Sequence, residues 1–144
     1  MAILTTELVR LSARAADKAE AIRLAGELLV KAGCVAPAYV DGMLAREQTM
    51  STFLGSGVAI PHGQFGDKEL VHRTGISVLQ VPGGVEWEPG EQVYLVIGIA
   101  AQHDEHVDVL QRLAEVVEDE ALIGSLRSAT DPAAVVACLD QPAA

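Results

Sequence analysis

Apolar residues recur along this chain at two different spacings, and the switches between them mark out its elements. Leu8-Val9-Arg10-Leu11 has the look of a short first strand. Asp17, with Glu20 three residues later, forms a capping-box pattern. The stripe that follows, Ile22, Ala25, Leu28 and Leu29, has helical spacing, and Gly33 ends it. Pro37 suits the first turn of a second helix through Val40, Met43 and Leu44, running out near Arg46-Glu47. Thr49 to Gly57 is rich in small hydroxyl residues and glycine and reads as loop. Val58-Ala59-Ile60 predicts a short buried strand that stops at Pro61, and Gly66 to Arg73 fits no element clearly. Ile76 to Val81 predicts a strand, with a turn at Pro82-Gly83-Gly84. Val93 to Ile99 is apolar nearly throughout, as expected of a strand buried on both faces. Asp104 opens a long helix with Val107, Leu110, Leu113, Ala114 and Val117 on one face, and a shorter helix follows around Ala121 to Leu126. Asp131-Pro132 is a cap followed by proline, opening a last helix through Val135, Val136 and Leu139. Loose alternation of strands and helices predicts an α/β sandwich with a small mixed sheet.

Length and charge narrow the picture. The 144 residues fit one domain, 1–144, with 140–144 as a frayed tail. Half of the residues are apolar but only 3% are aromatic, so the core must be built from Val, Leu, Ile and Ala. A formal net charge of −10, from 20 acids and 10 bases, argues against nucleic acid or an anionic membrane surface as partner. It would steer a basic protein partner towards the chain. Met1 to Arg10 lacks a basic stretch followed by an apolar run, so no secretory signal is read. No apolar stretch approaches the roughly 18–20 residues needed to insert across a membrane. Cys34 and Cys138 lie far apart with no Cys-x-x-Cys pattern. They read as buried thiols in a reducing cytoplasm, with a disulfide as the alternative.

The densest unusual segment is Gly55-Ser56-Gly57-Val58-Ala59-Ile60-Pro61-His62-Gly63. A buried strand delivers a histidine at its end. Pro61 ends the pairing and stiffens the approach, and Gly63 leaves room for an anion or a partner beside the ring. A lone histidine is more often structural, bonded to a backbone carbonyl. Two other features change that balance. Arg46 stands shortly before this loop, and a guanidinium fork suits phosphate oxygens; the alternative is a surface ion pair with Glu47 or Glu20. Gly98 to His106 is where the clearest strand ends and a helix begins, with His103 and His106 at the junction. Helix N-termini favour anions.

Arg46-Glu47, Ser51-Thr52 and Gly55-x-Gly57-x-Ala59-x-Pro61-His62-Gly63 together resemble the phosphorylation-site signature of the mannitol/fructose-type IIA domains of the bacterial phosphoenolpyruvate-dependent sugar phosphotransferase system. The resemblance continues through Val96 to Ala101 and Glu105-His106. It also covers Lys18 to Glu47, where Ala21 to Gly26 looks like the mannitol branch. It implies a small mixed sheet flanked by helices on both sides. It implies a phosphotransferase in which His62 is phosphorylated, Arg46 holds the phosphoryl oxygens and His106 hydrogen-bonds the phosphate. The implied donor is the histidine phosphocarrier protein HPr and the implied acceptor a cysteine on a IIB domain, for uptake of mannitol or a related sugar. No cofactor and no metal are called for, and the absence of a Walker-type Gly-rich loop with Lys argues against ATP as donor. The apolar wall around His62 is expected from Val58, Ile60 and Phe53, with Phe65 a weaker candidate.

His103 departs from the small polar residue that mannitol-type relatives carry there, and His103-x-x-His106 has the spacing of half a metal site without an evident third ligand. A regulatory IIA of the nitrogen-related branch, a binding module without phosphorylation, and a metalloprotein using His62, His103 and His106 are the competing readings.

Overall fold

The structure, a computed structural model, describes residues 3–102 and 105–139, apart from the side chains of Phe65 and His106. A single 3-10 turn at Thr6–Leu8 leads into β1, Val9–Arg10. Helix α1, Lys18–Lys31, begins as its sequence predicts. The Asp17 carboxylate accepts from the Glu20 N–H at 2.9 Å, and Glu20 accepts from the Ala16 N–H at 2.8 Å, closing the helix start reciprocally. The chain leaves α1 through Gly33 at a φ of +79°, a conformation that costs glycine nothing. Helix α2, Ala38–Thr49, follows Pro37. It is longer than its apolar pattern suggests, because its buried face is Tyr39, Met43 and Glu47. Val40 and Leu44, expected to lead that face, are half-buried.

Strands β2 (Phe53–Gly55), β3 (Val58–Ala59), β4 (Gly75–Glu88) and β5 (Glu91–Ala100) join β1 in one five-stranded sheet, ordered β1-β4-β5-β3-β2. β1 runs parallel to β4 and β3 parallel to β5, while β4–β5 and β2–β3 are antiparallel, so the sheet is mixed. Helices α3 (Glu105–Glu118), α4 (Glu120–Ser128) and α5 (Pro132–Leu139) complete the fold. Two polar side chains on β4 show that helices cover both faces. Ser77 donates to the Ala25 carbonyl of α1 at 2.8 Å, and Gln80 Nε2 donates to the Leu126 carbonyl of α4 at 3.0 Å. Residues an odd number apart on a strand face opposite ways, so α1 and α4 lie on opposite sides. The core between them is aliphatic, as the composition requires. Tyr39 and Trp87 are its buried exceptions, and both tips find hydrogen-bond partners.

Four expectations need correction. Thr49 to Gly57 is not all loop: β2 pairs with β3 through Ser56 and Gly57, at φ of 54° and 74°. Positive φ at both central residues makes the tight turn that a right-twisted hairpin favours. Pro82-Gly83-Gly84 is not a turn either. β4 runs through it with a register shift between Gln80 and Val85, where a missing ladder N–H is tolerated; the reversal falls at Pro89-Gly90, with Gly90 at φ +82°. On α3 the buried stripe is Val109, Leu113 and Val116, while Val107 is 67% exposed, one face over from its expected place. Both cysteines are free, so the disulfide alternative fails, and Cys138 is only half-buried while Cys34 is buried. Asp104 lies outside the described residues, as does the 140–144 tail. Among the described residues no helix is long and apolar enough to cross a membrane.

Candidate phosphorylation site

β3 delivers His62 to the end of the sheet, as the sequence predicts. His62 forms a parallel bridge with Ile99, near the end of β5. The Ile99 N–H donates to the Pro61 carbonyl at 2.9 Å, which fixes the residue before the histidine. His62 Nδ1 lies 2.9 Å from the Ile60 carbonyl. A carbonyl oxygen only accepts, so this bond needs hydrogen on Nδ1. The neutral ring then carries its lone pair on Nε2. The backbone-bonded histidine that a structural reading expects is therefore present, and that bond selects the tautomer a nucleophile needs at Nε2.

Helix α2 lies along the segment that carries His62, and it is fastened at both ends. Near its start, the Tyr39 hydroxyl donates to the Ile99 carbonyl at 2.8 Å and accepts from the Gly63 N–H at 2.9 Å. Near its end, the buried Glu47 carboxylate accepts from the Thr52 N–H at 2.9 Å, from Thr52 Oγ1 at 2.5 Å and from Trp87 Nε1 at 3.1 Å, with Lys18 Nζ at 3.8 Å. Thr52 in turn accepts on its carbonyl from the Ile60 N–H at 3.0 Å. Tyr39 to Glu47 spans about 12 Å of helix at ~1.5 Å per residue. Ile60 to Gly63 spans roughly 10 Å of extended chain. The two run side by side, with Arg46 towards the Ile60 end.

Arg46 is half-buried, and its Nη1 donates to the Met50 carbonyl at 2.7 Å, closing the helix C-terminus. Neither Glu47 nor Glu20 pairs with it: Glu47 points inward and Glu20 is bonded to Ala16. Among the described residues the other guanidinium nitrogens have no hydrogen-bond partner.

Gly63 has a different reason than expected. A Cβ there would stand 2.5 Å from Tyr39 Cε1, so the glycine makes room for the Tyr39 ring rather than for an anion. Burial pushes the Tyr39 hydroxyl up from 10.0 to about 12, against the Gly63 N–H and helped by the Asp67 carboxylate. The phenol therefore stays protonated and keeps donating to Ile99.

Beyond Ile99, β5 leads into the start of α3. The Gln102 N–H donates to Thr74 Oγ1 at 3.0 Å, Thr74 Oγ1 donates to Glu105 Oε1 at 2.9 Å, and the Glu105 N–H donates to the Gln102 carbonyl at 2.9 Å. The N-terminus of α3 is thus held at the same end of the sheet as His62. His106 lies in the first turn of α3, and its side chain, like all of His103, is outside the described residues. Of the expected wall, Val58 and Ile60 are buried and Phe53 is half-buried on β2, while the Phe65 side chain is not described. Among the described residues no group of three His, Cys, Asp or Glu is placed to hold a metal ion. Tyr39 and Thr74 were not foreseen, and Thr52, named only as part of the signature, was given no role. Their signal was faint: a tyrosine and a glutamate eight residues apart on one helix face, and a threonine just before a strand.

A family profile described as "Phosphoenolpyruvate-dependent sugar phosphotransferase system, EIIA 2" matches residues 2–141. The chain belongs to this EIIA family. It is 52% identical over 139 residues to a multiphosphoryl transfer protein of Xanthomonas campestris, covering 96% of this chain but 17% of that one. The chain thus spans about a sixth of the length of that relative. It is 39% identical to the mannitol-specific phosphotransferase enzyme IIA component of Geobacillus stearothermophilus, covering 98% of this chain and 97% of that one. Among solved structures, the IIA chain from a complex of mannitol enzyme IIA with phosphorylated enzyme IIB of Escherichia coli superposes with a TM-score of 0.90, at 41% identity, covering 97% of this chain and 99% of that one. The mixed sheet between helices is the fold that the resemblance implies.

Proposed function

We propose that this chain is a phosphoryl carrier of the sugar phosphotransferase system. His62 accepts a phosphoryl group from phospho-HPr and passes it to a IIB cysteine, for uptake of mannitol or a related sugar. The observation that carries the reading is the bond between His62 Nδ1 and the Ile60 carbonyl, because it leaves Nε2 as the nucleophilic nitrogen.

Nε2 attacks the phosphorus of the donor phosphohistidine in line. The new N–P bond forms as the donor N–P bond breaks, and the donor imidazole leaves with the electron pair. In the second step the IIB thiolate attacks the same phosphorus and the His62 ring leaves. Such transfers depend on alignment and on neutralising the equatorial oxygens rather than on covalent help. Arg46, half-buried near the end of α2, would supply a guanidinium there, and the N-terminus of α3 would contribute N–H groups and its dipole. His106, in the first turn of α3, is the third group assigned to the phosphate. Neither ATP nor a metal has a part in this scheme, since the donor is a phosphohistidine. The chain works in the cytoplasm, where the carriers of this system meet.

Intact-mass measurement after incubation with phosphoenolpyruvate, Enzyme I and HPr tests it. A single acid-labile, phosphate-sized gain, absent in His62→Ala, is the expected result, followed by loss of that gain when a IIB domain is added. No gain in the wild type would remove the carrier reading. A gain that IIB cannot discharge would make the chain a phosphorylation-dependent regulator instead.

A further inference from the structure

In a regular parallel ladder, the residue after a bridge donates its N–H straight to the partner carbonyl. At His62 the first half of that pattern is intact, with the Ile99 N–H on the Pro61 carbonyl at 2.9 Å. In the second half a side chain intervenes. The Gly63 N–H goes to the Tyr39 hydroxyl at 2.9 Å, and that hydroxyl goes on to the Ile99 carbonyl at 2.8 Å. One phenol thus inserts into the ladder directly after His62 and ties it to α2.

The surroundings are built for this insertion. Tyr39 is 4% exposed, so its hydroxyl has no alternative partner in bulk water. Gly63 lacks the Cβ that would strike the Tyr39 ring. One turn along α2, Gly42 lacks the Cβ that would strike Asp67 Oδ2, and Asp67 accepts from the Gln64 N–H at 2.7 Å. Two glycines, one on each side, therefore let α2 lie directly on the chain around His62. Tyr39 and Arg46 are seven residues apart, close to two full turns, and so share a face of α2. A shift at the Tyr39 end moves the Arg46 end with it.

We propose that Tyr39 is a positioning residue for phosphoryl transfer: its inserted hydroxyl sets the height of His62 above β5 and the register of Arg46 beside it. This rests on the carrier reading above. Tyr39 is buried, and its hydroxyl acts through Gly63 and Ile99. Without its hydroxyl, the Gly63 N–H would close onto the Ile99 carbonyl and draw His62 towards β5, away from the Ile60 carbonyl that fixes its tautomer.

The test is Tyr39→Phe in the full chain, which keeps the ring and the packing. Two readouts are needed. The first is the His62 ring in nitrogen-15 NMR of the unphosphorylated protein, together with the Gly63 amide signal. The expected result is a shifted Gly63 amide and a loss of the predominant Nδ1–H tautomer. The second is steady-state transfer from phospho-HPr. A fall of about ten- to a hundredfold in kcat with KM for phospho-HPr within twofold is expected, since misplacement near 1 Å can cost that much. A variant with wild-type tautomer and kcat would overturn the proposal, as would a fall in KM and kcat explained by partial unfolding alone. If the variant does not fold, 3-fluorotyrosine in a Tyr94→Phe background, leaving Tyr39 the sole labelled site, serves for both readouts. There an unmoved Gly63 amide and an unchanged kcat overturn it. If the wild type takes no phosphate from HPr, the carrier reading fails, while the NMR arm still decides whether Tyr39 sets the His62 tautomer.

Discussion

Glu47 is the strongest structural joint in the site, and removing it should show how much of the site depends on one carboxylate. It is 5% exposed and accepts three hydrogen bonds: two from Thr52 and one from Trp87, which is itself 3% exposed. Glu47→Ala leaves three buried donors without an acceptor. Each such loss costs about 1–3 kcal/mol, and partial re-entry of water brings the sum to roughly 3–6 kcal/mol. The Lys18 contact, at 3.8 Å with the lysine side chain 36% exposed, adds little. Against a total stability of about 5–15 kcal/mol this is a large fraction. At roughly 2–4 °C per kcal/mol for a chain of this size, Tm should fall by about 6–24 °C. Glu47→Gln keeps one acceptor oxygen but turns an N–H₂ towards a donor, so it should fall between, at about 1–3 kcal/mol. Thermal and urea unfolding followed by circular dichroism give both values. A loss below about 1 kcal/mol for Glu47→Ala, or a Gln variant less stable than the Ala variant, would refute the claim that these bonds hold the joint.

Two further outcomes follow from the geometry. Arg46→Ala should slow phosphoryl transfer by about a hundredfold, the scale seen when one charge-stabilising donor is removed, with Tm nearly unchanged because its only described bond is to the Met50 carbonyl; an unchanged rate removes the clamp role. Tyr39 links stability to alkaline pH: its folded value, about 12, exceeds the unfolded 10.0, so the unfolded chain loses the phenol proton first. Stability should be full below pH 10 and fall by about 3 kcal/mol as pH rises towards 12, and urea unfolding of Tyr39→Phe should lack that share of the slope.

Much of this was readable from the chain, and the exceptions have physical causes. Asp17, Gly33, Asp131 and the apolar run from Val93 to Ile99 act locally, through caps, a positive φ and an unbroken buried strand, so their sequence signals survive folding. The strand end at His62 was legible for the same reason. The bulge at Pro82-Gly83-Gly84 was not, because the same residues make turns and bulges, and only the pairing with β5 decides between them. The face of α2 was misplaced because its inward residues include a glutamate and a tyrosine, which a hydrophobic pattern ignores. Both are inward because each has hydrogen-bond partners on strands or loops distant in sequence. Gly63 was given the wrong reason for the same cause: its neighbour, Tyr39, is 24 residues away.

The blocks that made the family recognisable are scattered along the chain, and the structure ties them to one another. Glu47 of the first block holds Thr52 of the second, and the carbonyl of Thr52 receives the N–H of Ile60 in the third. Ser56 and Gly57 turn the hairpin that brings β3 beside β2, and β3 pairs with Leu95 and Val96 on β5. His62 then bridges to Ile99 in the last block, from which the chain enters α3 and His106. Each block fixes the backbone of the next by direct hydrogen bonds, so no member can drift without displacing His62. A substitution that breaks any one link, even far from the imidazole, should therefore change transfer more than its own contact suggests, because positioning is the main thing this site supplies.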